Sequence, residues 1–313
     1  MTDLPPIPLR ARTHLAHATL QAVADVCGAD ILHIKGAALD ASIGPPSNGA
    51  PTETTMGSSD LPRLSADADV LVRPAHLQVL LTALKRYGWT AMTRFDTGGG
   101  ADHSSDLWHE ELGWADVHRS FPGFRLDAAL AFDRLWLDHR VQLIAQRPCT
   151  VPSLDAQRLV LLLHAARNGQ SRANDVRDGW TNATATERNR VRELSETLRA
   201  EVALASATGH LDDYADRPES ELWRLYAVGG ASRFEIWRAR LKAAQTGVDR
   251  LMVLTNPLRL KVDGLTVELW RKPTQLELLR FYCRRLLSDL ADIKSYAYKR
   301  AQGCREKSLR STR

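Results

Sequence analysis

The spacing of apolar residues in the first half of the chain predicts helices that alternate with short strands. Residues 11–26 carry apolar side chains at helical spacing, and Gly28 follows as a stop signal. Residues 74–87 form a second predicted helix, with proline in the first turn, one leucine stripe and Gly88 after its end. Strands are predicted at 31–34, from about residue 67 onward, at 89–95, at 107–110 and at 114–118. This order predicts a sheet flanked by helices.

Beyond residue 152 the apolar spacing becomes almost wholly helical. Three helix starts are predicted from capping residues: Ser153, the pair Thr184 and Glu187, and the pair Thr274 and Glu277. The second of these helices is predicted to run to about Ser206. The last helix has apolar residues spaced alternately by four and three, which predicts packing against a bundle through Leu279, Cys283, Leu286, Leu290 and Ile293. The segment 253–270 fits either helix or a small hairpin around Asp263 and Gly264.

The two halves together predict an α+β protein, with a mixed β-sheet flanked by helices and then a mainly helical C-terminal domain. We place the first domain at residues 1–150, the helical domain at 151–302 and a basic tail at 303–313, with a linker at 148–152. Residues 42–61 are rich in Pro, Gly, Ser and Thr, which predicts a mobile loop. Such a loop either covers an active site or is disordered without a role.

Composition favours a cytoplasmic globular protein without a membrane span. The chain has 313 residues, 44% apolar and 25% charged, and no apolar run approaches the ~18 residues that a span requires. Its start lacks the basic region and apolar core of an export signal. Four scattered cysteines show no metal-ligand spacing, so neither a zinc site nor a disulfide framework is expected. The net charge of +5 is concentrated after Lys294, where a basic tail either contacts nucleic acid or is a solvated end.

Asp67 and Asp69 are the strongest candidates for chemistry. Because side chains alternate along a strand, both carboxylates point to one face. Two such anions repel, and they stay ionised only with a positive group between them, for which a divalent cation such as Mg²⁺ is the usual solution. The same alternation places Asp116 and His118 together on one face of a later strand. The pattern therefore predicts a metal site at Asp67 and Asp69, with a third carboxylate presented from the later strand.

A second candidate lies at Lys35, Gly36 and Ala37, where a predicted strand ends. A strand followed by glycine and a helical start can direct backbone N–H groups at a phosphate, and Lys35 would add a positive charge. The alternative is a structural turn with a solubilising lysine. The sequence favours the phosphate site because the paired carboxylates follow in the next strand.

The order of these elements resembles the DNA polymerase β-like nucleotidyltransferase superfamily, whose pattern is a strand-ending glycine, then D-x-D, then an acidic residue on a later strand. The chain is also similar to an uncharacterised bacterial nucleotidyltransferase family abbreviated NTP_transf_5. The matching segments are 33–39, 63–74, Gly88-Trp89 and 116–119, with 164–167 and Asp175 or Asp178 in the second half. Ala37 departs from the pattern, which has serine or glycine there, and the loop between Gly36 and Asp67 is unusually long.

The resemblance implies that residues 1–150 form a nucleotidyltransferase domain. Such a domain would transfer a nucleoside monophosphate from an NTP such as ATP to a hydroxyl of a peptide, small molecule or RNA. Two alternatives stay open: a toxin-like enzyme that adds nucleotides to tRNA, and a catalytically silent nucleotide-binding or regulatory protein of the same fold. The basic tail favours the first alternative, and Ala37 favours the second.

The resemblance also implies roles for the candidate residues. Two ions of Mg²⁺ or Mn²⁺ would be bridged by Asp67 and Asp69, and Asp116 would complete the ion that activates the attacking hydroxyl. The implied triphosphate site consists of Lys35, Gly36, Ala37 and Arg63. His118 would bind the acceptor or orient Asp116. Further candidates for the cleft wall are His103, His164 and Asp175, with Trp114 as a surface for a base or as a core residue.

Overall fold

The computed structural model describes residues 7–43, 65–95, 103–169, 173–255, 262–269, 271 and 273–311. Arg63 and most of the predicted loop 42–61 lie outside these ranges. The backbone of the predicted basic tail is helical to Ser311, and its side chains also lie outside the described part of the chain. Within the described ranges, no helix combines the length and the apolar character that a bilayer crossing demands.

A five-stranded mixed sheet lies at the centre of the first half. Its strands are β1 (Ile31–His33), β2 (Asp67–Val72), β3 (Thr90–Ala91), β4 (Ser104–His109) and β5 (Gly113–His118), in the spatial order β1-β2-β5-β4-β3. β2 and β5 are parallel, whereas the other neighbours are antiparallel. The parallel pair therefore brings two segments that are distant in sequence side by side at the middle of the sheet.

Side-chain alternation gives this sheet two different faces. One face is apolar and packs against α1 (Leu9–Cys27) and α2 (Leu77–Arg86), through Ala68, Val70, Val72, Ala115 and Val117. Burying each valine or leucine side chain there contributes about 1.5–3 kcal/mol before the entropy cost of ordering it. The opposite face contacts the second core through Leu32 and Leu71, and it also carries the predicted carboxylates. The first face thus stabilises the sheet, and the second is available for a site.

The chain after residue 152 is mainly helical. Its helices are α4 (Leu154–Asn168), α5 (Ala173–Val176), α6 (Ala185–Thr197), α7 (Glu201–Thr208), α8 (Ser220–Val228), α9 (Arg233–Ala243), α10 (Gly247–Thr255), α11 (Val262–Leu269) and α12 (Gln275–Ser311). The central helix α4 is buried on most sides, and its apolar residues join α3 (Ala128–Leu137) and the α6–α8 region in one core. The α+β fold class predicted from the sequence, with a mixed sheet, flanking helices and a helical C-terminal region, is confirmed.

The segment 148–152 is not a linker, because most of it forms a strand. β6 (Arg140–Ile144) and β7 (Arg147–Val151) make an antiparallel hairpin. Its inward side chains, Ile144, Cys149 and Val151, are buried against Ala38. The turn residues Ala145 and Gln146 both have positive φ, which usually calls for Asn or Gly, so the sequence carried no turn signal there. Residues 148–152 instead attach the hairpin to the sheet region.

Several predicted boundaries also shift. The strand predicted at 89–95 is only Thr90–Ala91, and the strand predicted at 107–110 begins earlier, at Ser104. The helix predicted to reach Ser206 divides into α6 and α7, with positive φ at Arg199 between them. Residues 262–269 are helical, so the hairpin alternative is wrong for this segment.

The capping boxes at Thr184 and Thr274 are confirmed by their hydrogen bonds to Glu187 and Glu277. The apolar seam of α12, in contrast, does not pack against a bundle. Its leucines Leu279, Leu286 and Leu290 are each about 60% exposed. α12 contacts α9 through a different side, where Tyr296 lies against Phe234 and Asp289 accepts a hydrogen bond from Arg233.

Candidate functional site

The polar face of the sheet carries its acidic residues in register. Asp69 lies directly opposite Asp116 across the parallel β2–β5 pair, and Asp67 lies opposite Trp114. On the other side of β5, Asp106 of β4 lies opposite Asp116. Residues directly opposite on neighbouring strands have side chains within a few ångströms of each other. The fold therefore gathers carboxylates from three adjacent strands.

Two of these carboxylates share one imidazole. The Nε2 atom of His118 lies 3.1 Å from Oδ1 of Asp69 and 3.1 Å from Oδ2 of Asp116. The Nζ atom of Lys35 lies 2.6 Å from the same Oδ1 of Asp69. Asp69 and His118 are fully buried, so these interactions are shielded from solvent. The cluster pairs two anions with two cationic groups.

The pKa values follow from this arrangement. Burial alone would raise the pKa of Asp69, but Lys35 and His118 outweigh it and hold that pKa well below its ordinary value. Burial would likewise raise the pKa of Asp116, and His118 lowers it overall. Burial lowers the pKa of His118, but the two carboxylates raise it to about 9. His118 is therefore an imidazolium at neutral pH while no other cation replaces its charge.

Asp67 lies on the same face as Asp69 but outside this tight cluster. Its Oδ1 accepts a hydrogen bond of 2.9 Å from the Ser65 hydroxyl. Burial and the nearby Asp69 raise its pKa, although Lys35 acts in the opposite direction. With Asp106 and Asp116 it lines a cavity of about 260 Å³, which we call the acidic cavity. Of the three predicted ligands, Asp69 and Asp116 converge most closely.

The donor set fits a divalent cation. One ligand atom from each of Asp69, Asp116 and His118 lies within 4.8 Å of the others. The Oδ1 atom of Asp116 is buried and has no hydrogen-bond partner among the described residues. An unsatisfied buried carboxylate oxygen costs free energy, and a cation would satisfy it. Carboxylate oxygens suit Mg²⁺ and Mn²⁺, and an imidazole nitrogen suits Mn²⁺ and other transition metals better than Mg²⁺.

The turn at Gly36 requires glycine for two independent reasons. Gly36 has φ +59°, and a Cβ there would lie 2.8 Å from Cβ of Ser65. Residues Gly36–Ala38 form a single 3₁₀ turn and not the start of an α-helix. The carbonyl of Ala37 accepts a hydrogen bond from Gln142, and its partly buried side chain packs against the β6–β7 core. The turn holds Lys35 beside Asp69 and brings Ser65 close to Asp67.

Of the other predicted residues, His103 contacts the cluster, whereas the contacts given below for His164, Asp175 and Trp114 are with residues outside it. His103 stacks on His118, with 5.5 Å between ring centroids, and Arg167 donates a hydrogen bond of 3.1 Å to Nε2 of His103. Burial and, next, His118 lower the pKa of His103 to about 3, so this ring is neutral. His164 lies 3.3 Å from Asp175, in a separate pair. Trp114 packs on Trp108, with centroids 5.0 Å apart.

Asp106 is a candidate that sequence reasoning missed. Burial and the neighbouring Asp116 raise its pKa. The predicted strand began at residue 107, so Asp106 was not assigned to a face. Had the strand been started at Ser104, side-chain alternation would have placed Asp106 beside the other carboxylates.

No family model and no curated protein matches this sequence. Among solved structures, the chain is similar to a lincosamide antibiotic adenylyltransferase, LnuA, in its lincomycin-bound form. The match covers 62% of this chain and 99% of that chain, with 15% sequence identity and a TM-score of 0.32.

Proposed function

We propose that the protein is a metal-dependent nucleotidyltransferase that moves a nucleoside monophosphate from an NTP to a hydroxyl group. The supporting observation is the register of Asp69 and Asp116 on adjacent parallel strands, which converges two carboxylates at a buried, incompletely satisfied site. A lysine-bearing glycine turn ends the strand beside them. Paired carboxylates next to a phosphate-binding turn are the arrangement that phosphoryl chemistry needs.

The reaction forms one bond and breaks another at the α-phosphorus. The acceptor hydroxyl oxygen bonds to that phosphorus while the bond to the bridging oxygen of the β-phosphate breaks, and pyrophosphate leaves. Divalent cations held by Asp69, Asp116 and Asp67 would supply the positive charge that this transition state needs. Asp116, with its unpartnered Oδ1, is the proposed acceptor for the hydroxyl proton.

Lys35 is proposed to move between two partners. Without ligands its ammonium pairs with Asp69, and burial is outweighed by that carboxylate, so the pKa of Lys35 is raised and the charge is retained. When a cation neutralises Asp69, the ammonium is released to the phosphates of the nucleotide. The 3₁₀ turn at Gly36 directly follows Lys35, whose ammonium lies beside Asp69.

The direct test uses the purified full chain with each α-labelled NTP, Mg²⁺ or Mn²⁺, and cell extract. We expect label on one class of acceptor with the wild type and no label with Asp69→Asn, because an amide cannot replace an anionic ligand. Arg190→Gln on α6, a surface substitution far from the sheet face, serves as the control and keeps full labelling. Equal labelling by wild type and Asp69→Asn would refute the proposal.

A silent nucleotide-binding protein is the second candidate, and one observation favours it. Lys35 and the His118 imidazolium already neutralise Asp69 and Asp116 at 2.6 and 3.1 Å, so the carboxylates are paired without a metal. Calorimetry with each NTP, with and without Mg²⁺, distinguishes the candidates. An enzyme should bind the nucleotide much more tightly with Mg²⁺, whereas a protein that relies on Lys35 alone should bind it equally well without the ion.

A further inference from the structure

A cavity of about 350 Å³ opens where the end of β5 meets the helical region. Its walls come from the segment after β5 and from α4, α8 and α9. Cavities of this size hold a small molecule or part of one. We call this cavity the arginine pocket, after Arg119, Arg167 and Arg240, which line it.

The charge of the arginine pocket has one sign. Its described lining includes three arginine residues and no Asp or Glu. Arg240 donates hydrogen bonds of 3.0 and 3.3 Å to the hydroxyl of Tyr226, and Arg119 lies over the ring of Phe95, 5.4 Å from its centroid. These partners of Arg240 and Arg119 are neutral, so they orient these two guanidinium groups without cancelling their charge. Guanidinium groups held in this way are suited to bidentate binding of phosphate or carboxylate.

The cations are also close enough to repel one another. The pKa of Arg167 is lowered overall. Burial is the main cause, Tyr226 acts in the opposite direction, and the charge of Arg240 lowers the pKa further. An anion between two neighbouring guanidinium groups would remove this repulsion. Much of the remaining lining is aromatic or apolar, including Phe124 and Trp223, and could contact the uncharged part of a ligand.

The position of the arginine pocket relates it to the proposed chemistry. Lys35 and its turn follow β1, on one side of the Asp69–Asp116 pair. Arg119 and His103 adjoin β5 and β4 on the other side, and His103 stacks on His118. In-line displacement needs the leaving pyrophosphate and the attacking oxygen on opposite sides of the phosphorus. If the pyrophosphate lies beside Lys35, the attacking group comes from the side of the arginine pocket.

We infer that the arginine pocket binds the anionic group of a small-molecule acceptor, a phosphate or a carboxylate, with its apolar or aromatic body against Phe124 and Trp223. The identification of this ligand as an acceptor rests on the proposed transferase function. The binding of the anion itself depends only on the pocket. It identifies the acceptor as an acid and places its charge away from the carboxylates that would bind metal.

Calorimetry on the full chain, without NTP or metal, tests the pocket with phenyl phosphate, benzoate and neutral phenol as probes. We expect one equivalent of phenyl phosphate or benzoate to bind and phenol not to bind. Arg240→Gln and Arg119→Gln should each weaken the anion about tenfold or more, and Arg240→Lys should weaken it less. Arg224→Gln is the matched control, because Arg224 lies on α8 but pairs with Asp212 outside the pocket.

Three outcomes would overturn the inference: no binding of either anion at millimolar concentration, equal binding by all variants, or equal weakening by Arg224→Gln. Two arginine variants, each checked for an unchanged melting temperature, keep the test valid if one of them folds poorly. The two proposals fail differently. If the anion binds but no nucleotide is transferred, the inference about the arginine pocket stands and the proposed transferase function is refuted. Transfer with an unchanged acceptor KM in Arg240→Gln would refute the pocket alone.

Discussion

The two ends of β5 face cavities of opposite charge. Toward its start, the acidic cavity is lined by Asp67, Asp106 and Asp116. Beyond its end, the arginine pocket has three arginine residues and no Asp or Glu in its described lining. His118 and His103 lie stacked between them, one imidazole charged and the other neutral. On the proposed function, one strand would separate a cation site from an anion site, and this separation would keep an acidic acceptor away from the carboxylates.

The largest expected effect comes from removing the carboxylate of Asp116. Asp116→Asn should reduce transfer on the order of a thousandfold, because it would weaken binding of the cation that would supply several kcal/mol of charge stabilisation to the transition state. Phenyl phosphate binding at the arginine pocket should remain, since it does not involve the acidic cavity. Steady-state rates and calorimetry measure the two properties separately. Loss of both would show that the two cavities are one coupled site.

Lys35→Met should have the second largest effect, about a hundredfold lower kcat/KM, because it removes the charge that we propose contacts the nucleotide phosphates. It also removes the competitor for Asp69, so Mg²⁺ should raise the melting temperature more in this variant than in the wild type. Lys85→Met, at an exposed position on α2, is the matched control and should change neither property. Equal rates for the Lys35 and Lys85 variants would remove Lys35 from the proposed mechanism.

Gly36→Ala tests whether the turn at Gly36 is held rigid beside the acidic cavity. We expect a loss of about 2–3 kcal/mol in the free energy of unfolding, because the new Cβ is strained at φ +59° and also meets Ser65. Gly28→Ala has a similar φ of +70° but nothing within 4 Å of its Cβ, so it should cost only about 1 kcal/mol. Urea unfolding of both variants gives the comparison. Equal losses would mean that Ser65 yields and the turn is soft.

Asp106→Asn should have the smallest effect and the opposite sign. Asp106 and Asp116 are like charges directly opposite on neighbouring strands, so the amide should raise the free energy of unfolding by about 0.5 kcal/mol. In an Asp116→Asn background this gain should disappear, because the repulsion is already absent. Urea unfolding of the four proteins in this cycle measures the coupling. A gain of equal size in both backgrounds would show that the two carboxylates do not interact.

The sequence was sufficient to predict that three carboxylates lie on one face of the sheet. Asp67, Asp69 and Asp116 could be assigned to faces because alternation along a strand is a local property. Lys35 was predicted to bind phosphate but was not predicted to pair with Asp69, because that contact depends on the pairing of β1 with β2. Asp106 was missed because the predicted start of its strand was a few residues late.

The basic side could not have been assembled from the sequence. Arg119, Arg167 and Arg240 come from a loop and two helices that only the tertiary fold brings together. The β6–β7 hairpin was not predicted because its turn lacks Asn and Gly. Ala145 and Gln146 occupy the positions with positive φ that these two residues usually take. The seam of α12 was misassigned because periodicity identifies an apolar side of a helix but not its partner.

The in-register pairing of β2 with β5 limits how the length of this chain can change over time. Deleting one residue between Asp69 and Val72 would shift the pairing by one position and turn side chains of β2 to the opposite face. The carboxylate of Asp69 would then point at α1 and α2, among apolar residues that cannot solvate it. Segments outside the strands carry no such restriction, and the sequence between Ile43 and Ser65 is already long. Homologues of this protein should therefore vary in the connections and keep the spacing within β2 and β5 unchanged.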